Sequence, residues 1–277
     1  MIYHITTAAE VRQAQQSGVY RPQDFTRDGF IHFSDLYQVE GTANRFYHDT
    51  PDLILLEVDP DALDVPLVYE NLEGGEMTFP HVYGELKAEL IRATYRFSRD
   101  EQGKLHLPPE LRLSPPPLFT ELPFGLPGRA FRSPMPGSRM FDPQDQVFAH
   151  YTEAHISTVV VLCKLEELKK QPISDPLERY RQAGMKILHV PTADFSAPAQ
   201  GDWDMPLRIT ALLLQRGENV AIHCHAGVGR TGMFAACLAQ DLLALPPEEA
   251  IQWVRRVLPY AVETHYQRLF VRAYRPA

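Results

Sequence analysis

The sequence from residue 219 to residue 232 reads NVAIHCHAGVGRTG. An apolar run of buried-strand length stops at Cys224, a short stretch rich in glycine follows, and a predicted helix begins at Arg230 or Thr231. Glycines let successive backbone N–H groups point at one spot, and a helix N-terminus adds positive potential there, so the turn predicts an anion site. The same surroundings favour the thiolate of Cys224, and Arg230 can form a bidentate fork to two phosphate oxygens. The stretch therefore predicts a nucleophile placed against a phosphate.

Helices and strands alternate through the C-terminal half. The predicted helices are Gln144–Glu153, Pro176–Gln182 and Pro206–Gln215, each followed by a predicted strand, over Thr158–Leu162, Lys186–Val190 and Asn219–His223, and three helices come after the last strand. Such alternation predicts an α/β fold in which a parallel sheet is flanked by helices. Active sites in these sheets lie at the carboxyl ends of strands, which is where Cys224 falls.

The pattern of His-Cys, five residues, Arg and Thr resembles the signature of the protein tyrosine phosphatase superfamily. Residues 128–133 and the pair Leu162-Cys163 resemble its dual-specificity branch, so the resemblance covers nearly all of residues 118–277. It implies hydrolysis of phosphomonoesters through phosphocysteine, with no metal or other cofactor. It also implies that phosphate is bound by Arg230 together with the loop residues His225, Ala226, Gly227, Val228 and Gly229. The alternatives are a buried structural cysteine, or a module that recognises phosphorylated ligands without turnover.

Further roles come from the same resemblance. Residues 189–198, HVPTADFSAP, look like the loop that carries the general acid, which would be Asp194, with Asp202 and Asp204 as nearby alternatives. Thr-Ala precedes Asp194 where tyrosine-specific relatives have Trp-Pro. Residues 261–267 look like the segment that supplies a water-positioning glutamine, here Gln267.

Two further residues of the motif complete the candidate site. Thr231 would hydrogen-bond the sulfur, and His223 would tune the thiolate or would simply be a buried core residue. Phosphoinositide-acting relatives have lysines at the two variable loop positions, where this chain has His225 and Val228. We therefore expect a phosphorylated protein or a small phosphomonoester as substrate, not an inositol lipid.

Charge and cysteine content limit the partners. The formal net charge is −8, and residues 1–117 hold 10 Lys and Arg against 19 Asp and Glu. This acidic half argues against nucleic-acid binding. Three unevenly spaced cysteines favour a reducing compartment, and neither a signal peptide nor a membrane-length apolar run is visible. We expect a cytoplasmic protein with no membrane association, and the oligomeric state stays open.

Clustered prolines at residues 108–117 predict a linker between an N-terminal domain, residues 1–107, and the domain at 118–277. The N-terminal domain reads as α+β. The predicted elements, in chain order, are a strand over Ile2–Thr6, a helix over Ala8–Gln16 with a Thr7/Glu10 capping box and Gly18 at its end, a strand over Gly29–Phe33, a helix from a Ser34 cap through Tyr47, and strands over Leu53–Val58 and Ala88–Phe97.

Polar clusters in this domain resemble a small bacterial family of uncharacterised function that looks like a compact ADP-ribosyltransferase fold. The resemblance implies NAD or an ADP-ribose-like ligand, with His4 at the ribose and His32 near the nicotinamide. A third motif would supply a catalytic Glu85, with His81 or Tyr83 as alternatives. The polar residues expected beside them in one cleft are Thr6, Ser34 and Asn44. The competing interpretation is a domain that binds a partner, with its histidines buried in the core.

Overall fold

The computed structural model describes residues 1–72, 74, 77–112, 114–170 and 175–276. The chain separates into two compact units, Met1–Ser114 and Pro115–Ala277. Within the proline-rich segment, Pro109–Leu111 forms a 3-10 turn and Leu111 packs into the core of the first unit. Much of the segment predicted as a linker is therefore part of the N-terminal unit, while residue 113 lies outside the described residues.

The N-terminal unit is an α+β fold of short elements. Its helices and strands are β1 (Ile2–Thr7), α1 (Ala8–Ser17), β2 (Val19–Tyr20), α2 (Phe25–Asp28), β3 (Ile31–His32), α3 (Leu36–Phe46), β4 (Leu53–Val58), β5 (Leu67–Glu70), β6 (Phe79–Val82), β7 (Leu86–Lys87), β8 (Ile91–Arg96), β9 (Ser98–Arg99) and β10 (Leu105–His106). The strands form a sheet in the order β1-β4-β8, a second in the order β3-β6-β5, and two pairs, β2-β7 and β9-β10.

The predicted start of the chain agrees closely with the structure. The capping box of Thr7 and Glu10 is present, and Gly18 ends α1 in the left-handed region at a φ of 78°. Ser34, however, does not cap α3. Asp35 does so in a capping box with Gln38, because the backbone of Ser34 is already paired with Tyr3.

Strand β4 is buried along its whole length and supplies both faces of the N-terminal core. Ile54 and Leu56 lie in one apolar cluster, and Leu53 and Leu55 lie in another. Alternate residues of a strand point to opposite faces, so the first sheet has an apolar layer on each side.

The C-terminal unit contains a five-stranded sheet and seven helices among its described residues. The elements are β11 (Thr120–Leu122), β12 (Ala130–Ser133), α4 (Gln146–Glu153), β13 (Thr158–Val161), α5 (Leu165–Lys169), α6 (Pro176–Gln182), β14 (Lys186–His189), α7 (Asp204–Gln215), β15 (Val220–His223), α8 (Gly229–Leu243), α9 (Pro247–Val257) and α10 (His265–Ala273). The strand order is β11-β12-β15-β13-β14.

Four of these strands are parallel, as predicted, but the edge strand β11 is antiparallel to β12. The register aligns the carboxyl ends: His223 pairs with both Ser133 and Val161, and Val161 pairs with His189. The loops that follow these four strands therefore leave the sheet at one edge. No described helix is long and apolar enough to cross a membrane.

Candidate active site and N-terminal cleft

Cys224 lies immediately after β15, where it is only 3% exposed, and its Sγ accepts a hydrogen bond of 3.3 Å from the N–H of Gly227. Gly227 has a φ of +73°, and a Cβ at this position would lie 2.1 Å from the carbonyl oxygen of Ser133. Only glycine fits here. The loop therefore turns its backbone toward the sulfur, as the sequence predicts for a phosphate site.

The other phosphate-loop candidates lie in the same turn. His225 is half-buried, and its carbonyl accepts a 3.0 Å hydrogen bond from the N–H of Met135. Its ring packs edge to face against Phe141, with 5.1 Å between the ring centroids. Ala226 and Val228 complete the loop, and Gly229 opens α8. These contacts fix the loop against the segment that follows β12.

The Arg230 side chain is fully buried in the first turn of α8. Its two terminal nitrogens bind the two carboxylate oxygens of Glu167, each at 2.8 Å, and Nη1 also donates to the carbonyl of Thr192 at 2.9 Å. Burial opposes the charge of Arg230, but the Glu167 hydrogen bonds and the nearby Cys224 and Asp194 hold its pKa above the usual value. Protein groups alone therefore hold the guanidinium in one orientation.

Of the three candidate acids, the structure places Asp194 on Arg230, with Oδ1 at 2.9 Å from Nη2. The Asp194 side chain is 43% exposed. Asp202 instead accepts from the backbone N–H of Ala199, and Asp204 is the first residue of α7.

The Asp194 loop is attached to α10. Phe195 has a positive φ of 55°, and its carbonyl accepts a 3.0 Å hydrogen bond from the hydroxyl of Thr264. Thr264 also caps α10 by accepting from the N–H of Gln267. The segments predicted to carry the acid and the glutamine therefore share one anchor.

Gln267 lies beside the phosphate loop. A Cβ on Gly229 would be 3.0 Å from its Nε2 and 3.1 Å from its Oε1. Oε1 accepts from the N–H of Glu263, whereas the buried Nε2 has no hydrogen-bond partner among the described residues. The buried hydroxyl of Thr231 likewise has no partner among them.

His223 behaves as a buried core histidine with defined hydrogen bonds. Its Nδ1 donates to the carbonyl of Cys224 at 3.0 Å, so its Nε2, 3.0 Å from the hydroxyl of Tyr180, accepts from it. Burial lowers the pKa of His223 to about 4. The neutral ring therefore fixes the backbone at the nucleophile.

Glu167 is a functional candidate that the sequence analysis missed. It lies on α5, a five-residue helix that was not predicted, and it accepts from the N–H of Lys164. Glu167 stands three residues after the N-cap residue Lys164, which is capping-box spacing and is the signal that could have revealed it.

Glu167, Asp194 and His225 could together approach a cation, since their ligand atoms all lie within 4.8 Å of one another. The same two carboxylates bind the guanidinium of Arg230, whose positive charge opposes a metal ion there. The arrangement fits an anion at Arg230 better than a metal.

The N-terminal unit contains a cleft made of two adjoining cavities. One, of about 370 Å³, is lined mainly by aromatic rings. The other, of about 460 Å³, is lined mainly by polar groups. The residues that line both cavities are His4, Ile5, Asp24, Arg27 and Tyr47. We call these two cavities together the N-terminal cleft.

The structure brings several predicted residues to this cleft. His4, His32, Ser34 and His81 line the aromatic cavity, and Thr6 lines the polar one. The two ring nitrogens of His4 are both bound inside the domain, so they are not directed at a ligand as the resemblance implies.

Asn44, Tyr83 and Glu85 line neither cavity of the cleft. The Asn44 side chain binds both backbone groups of Leu105 and so holds β10 to α3. The Tyr83 hydroxyl donates to Glu70 at 2.6 Å. Glu85 is ion-paired with Arg21. Their polar groups are occupied in structural contacts, which corrects the expectation that they share the cleft.

Comparison with known proteins assigns a family to each unit. Residues 135–242 match a family described as "Polymorphic toxin system, DSP-PTPase phosphatase", which confirms the phosphatase resemblance. Residues 5–94 match DUF952, a family of proteins of unknown function.

Two curated relatives each match a little over a third of this chain. Cyclin-dependent kinase inhibitor 3 of Rattus norvegicus is 34% identical over 104 residues, which are 37% of this chain and 49% of that protein. Protein tyrosine phosphatase domain-containing protein 1 of Bos taurus is 32% identical over 97 residues, 35% of this chain and 12% of that protein. The chain thus spans less than half the length of these relatives.

Two solved structures are similar to parts of the chain. A kinase associated phosphatase whose catalytic-site cysteine was replaced by serine is 24% identical and matches 56% of this chain and 92% of its own with a TM-score of 0.51, so it shares the fold. Protein CC0527 from Caulobacter crescentus is 31% identical and matches 40% of this chain and 98% of its own, with a TM-score of 0.38. The C-terminal region of the chain therefore matches a DSP-PTPase phosphatase family, and the N-terminal region matches the DUF952 family.

Proposed function

We propose that the C-terminal domain hydrolyses phosphomonoesters through a phosphocysteine formed on Cys224. The observation that carries this proposal is the buried guanidinium of Arg230, fixed by Glu167 at 2.8 Å on both nitrogens next to the Cys224 loop. A fixed guanidinium can bind two phosphate oxygens without changing its own orientation. The sulfur then attacks phosphorus while the ester oxygen leaves.

Asp194 supplies the proton in this proposal. Its carboxylate now contacts Nη2 of Arg230, a position that a phosphate oxygen takes on binding. Phosphate therefore displaces the Asp194 carboxylate, which takes up a proton from solvent and then gives that proton to the departing oxygen. In the second step Asp194, as carboxylate, takes a proton from a water held by Nε2 of Gln267, and Thr231 donates to the departing sulfur. The substrate is a phosphorylated protein or a small phosphomonoester.

Aryl phosphate hydrolysis tests the chemistry. We expect turnover that is lost in Cys224→Ser, retained in Cys237→Ser, and insensitive to chelator. Turnover that survives in Cys224→Ser, or that a chelator removes, contradicts the proposal. Absence of turnover in the wild type, together with tight phosphate binding, would favour the phosphate-recognition module instead.

For the N-terminal domain we propose a nucleotide-like ligand of the NAD or ADP-ribose class. An aromatic cavity that adjoins a polar one suits a planar ring attached to a ribose. The test is calorimetric titration of the whole protein with NAD and ADP-ribose. Binding that weakens in Phe46→Ala, whose exposed ring lines the aromatic cavity, supports the proposal. No heat with either ligand favours a partner-binding module.

A further inference from the structure

Four side chains of the N-terminal domain form a continuous hydrogen-bonded chain. Nδ1 of His4 lies 2.5 Å from the carbonyl oxygen of His32, and Nε2 of His4 lies 2.7 Å from the Tyr20 hydroxyl. That hydroxyl is 2.8 Å from Oγ1 of Thr6, which is 2.6 Å from Oε2 of Glu10. Each separation is that of a direct hydrogen bond.

The chain runs from the interior of the domain to the cleft. His4, Thr6 and Tyr20 are 5%, 2% and 1% exposed. Glu10 is partly exposed and lines the polar cavity. Glu10 is therefore the most exposed member of the chain and the one that can exchange a proton with solvent, while the buried His4 and Thr6 also line the cleft.

The usual charge states, a neutral His4 and an ionised Glu10, do not supply enough hydrogens for the four contacts. The four contacts each need one hydrogen between their heavy atoms. A neutral imidazole and two hydroxyl groups bring three, and a carbonyl and an ionised carboxylate bring none. With neutral His4 and ionised Glu10, two acceptor atoms would face each other at one contact with no hydrogen between them, which costs free energy inside a protein.

One additional proton completes the chain in either of two ways. If it is on His4, both ring nitrogens donate, Tyr20 donates to Thr6, and Thr6 donates to Glu10. If it is on Glu10, the three hydrogen bonds reverse, and Tyr20 donates to Nε2 of His4. The two forms have the same total charge and differ by the shift of one proton along three contacts.

Burial favours the second form, because it lowers the pKa of His4 to about 4. Partial burial acts to raise the pKa of Glu10, but hydrogen bonds from Thr6 and from the backbone of Gln23 and Thr7 lower it overall. Thr6 lowers the pKa of Glu10 only while its hydroxyl donates to the carboxylate. With neutral His4, that direction leaves one of the four contacts without a hydrogen. The hydrogen-bond distances are the stronger argument. The other titratable or charged groups that face the chain or line the two cavities are Tyr3, Asp24, Arg27, His32, Tyr47 and His81.

We infer that His4, Tyr20, Thr6 and Glu10 form a proton relay. At neutral pH the relay holds one proton more than neutral His4 and ionised Glu10 would carry, and it reaches the N-terminal cleft at Glu10. Glu10 is then the acid–base group of the cleft, suited to a ligand with a reactive hydroxyl, and not Glu85. When Glu10 gives its proton to a ligand, the chain is left with an unfilled contact until a proton returns from solvent. The relay exists without ligand, so it stands or falls separately from nucleotide binding.

Nuclear magnetic resonance of the whole protein, labelled with ¹⁵N and ¹³C, tests the relay at pH 7 without any ligand. We expect either a doubly protonated His4 with an ionised Glu10, or a neutral His4 with a protonated Glu10 carboxyl. A neutral His4 beside an ionised Glu10 overturns the inference. This measurement needs no variant, so it remains decisive if a substitution prevents folding.

Variants separate a relay from a merely structural contact. In Glu10→Gln the amide donates to Thr6 as a protonated carboxyl does, so His4 should stay neutral from about pH 5 to about pH 8, where histidine ordinarily titrates. In Tyr20→Phe the connection is cut, so Glu10 should be ionised at pH 7. Asp24→Asn, which faces His4 from outside the chain, should leave both charge states unchanged. If neither His4 nor Glu10 changes its charge state in Tyr20→Phe, the relay is contradicted.

Discussion

Replacing Glu167 by glutamine tests whether Arg230 is oriented before phosphate binds. Glutamine keeps one oxygen toward Arg230 but turns an amide nitrogen toward the other guanidinium nitrogen, so one of the two 2.8 Å hydrogen bonds is lost. A hydrogen bond to a charged group contributes about 1.5–3 kcal/mol. The Glu167 side chain is 22% exposed, so solvent screening favours the lower end of that range, about 1.5–2 kcal/mol.

This loss has two measurable consequences. For a domain of this size, each kcal/mol changes Tm by about 2–4 °C, so the Tm of the phosphatase unit should fall by about 3–8 °C. If the same energy is lost from the transition state, kcat/KM for an aryl phosphate should fall by roughly 10–30-fold. Saturating phosphate should restore part of the Tm, because its negative charge replaces that of Glu167 beside Arg230.

Thermal unfolding and aryl phosphate kinetics are measured side by side for wild type, Glu167→Gln and Glu166→Gln. Glu166 is the matched control, because it lies on the same helix and is exposed. A Glu167→Gln protein with wild-type Tm and kcat/KM would refute the orienting role. An equal loss in Glu166→Gln would show that the effect belongs to the helix and not to the ion pair.

Three further predictions concern single positions in the same domain. Gly227→Ala should abolish turnover of an aryl phosphate, because the added methyl group would lie 2.1 Å from a backbone oxygen. The control is Gly201→Ala, where φ is +88° and the nearest atom lies at 3.8 Å. It should lose roughly 1–2 kcal/mol of stability and keep its activity in the same assay. Asp194→Asn should slow hydrolysis of phenyl phosphate by about 10²–10⁴-fold and that of p-nitrophenyl phosphate by less, because the better leaving group needs less protonation. Asp202→Asn should affect neither ester. Equal losses for both esters in Asp194→Asn would contradict the acid role. The pKa of His223 is lowered from 6.5 to about 4, so the unfolded state binds its proton more tightly and stability falls as pH drops through this window. Urea unfolding at about pH 5.5 should show roughly 1 kcal/mol less stability from this group than at pH 7.5, and His223→Asn should remove that difference; an unchanged pH dependence in the variant would assign it to other groups.

The sequence predicts the Cys224 loop well because all the necessary information is local. A buried strand, a positive-φ glycine and a helix start lie within fifteen residues, so the pattern is visible in the local sequence, although contacts with Met135 and Phe141 hold the finished loop. Glu167 escaped prediction for the opposite reason. It is separated from Arg230 by 63 residues, and its helix is too short to show an apolar period.

The N-terminal cleft was predicted only in part. The polar clusters did identify His4, His32 and His81 as neighbours of one cavity. They could not show that Tyr20, on a two-residue strand, occupies Nε2 of His4, because such a strand has no periodicity to read. Side-chain hydrogen bonds between distant short elements are set by packing, and local sequence does not report them.

The most direct test of the central claim is to trap the intermediate. Wild-type protein is mixed with an aryl phosphate, quenched in acid within the first turnovers, digested, and analysed by mass spectrometry. We predict one phosphoryl group on the peptide that contains Cys224, and none on that peptide from Cys224→Ser. Rapid turnover with no phosphoryl group on Cys224, or with the group on another residue, would contradict the phosphocysteine mechanism.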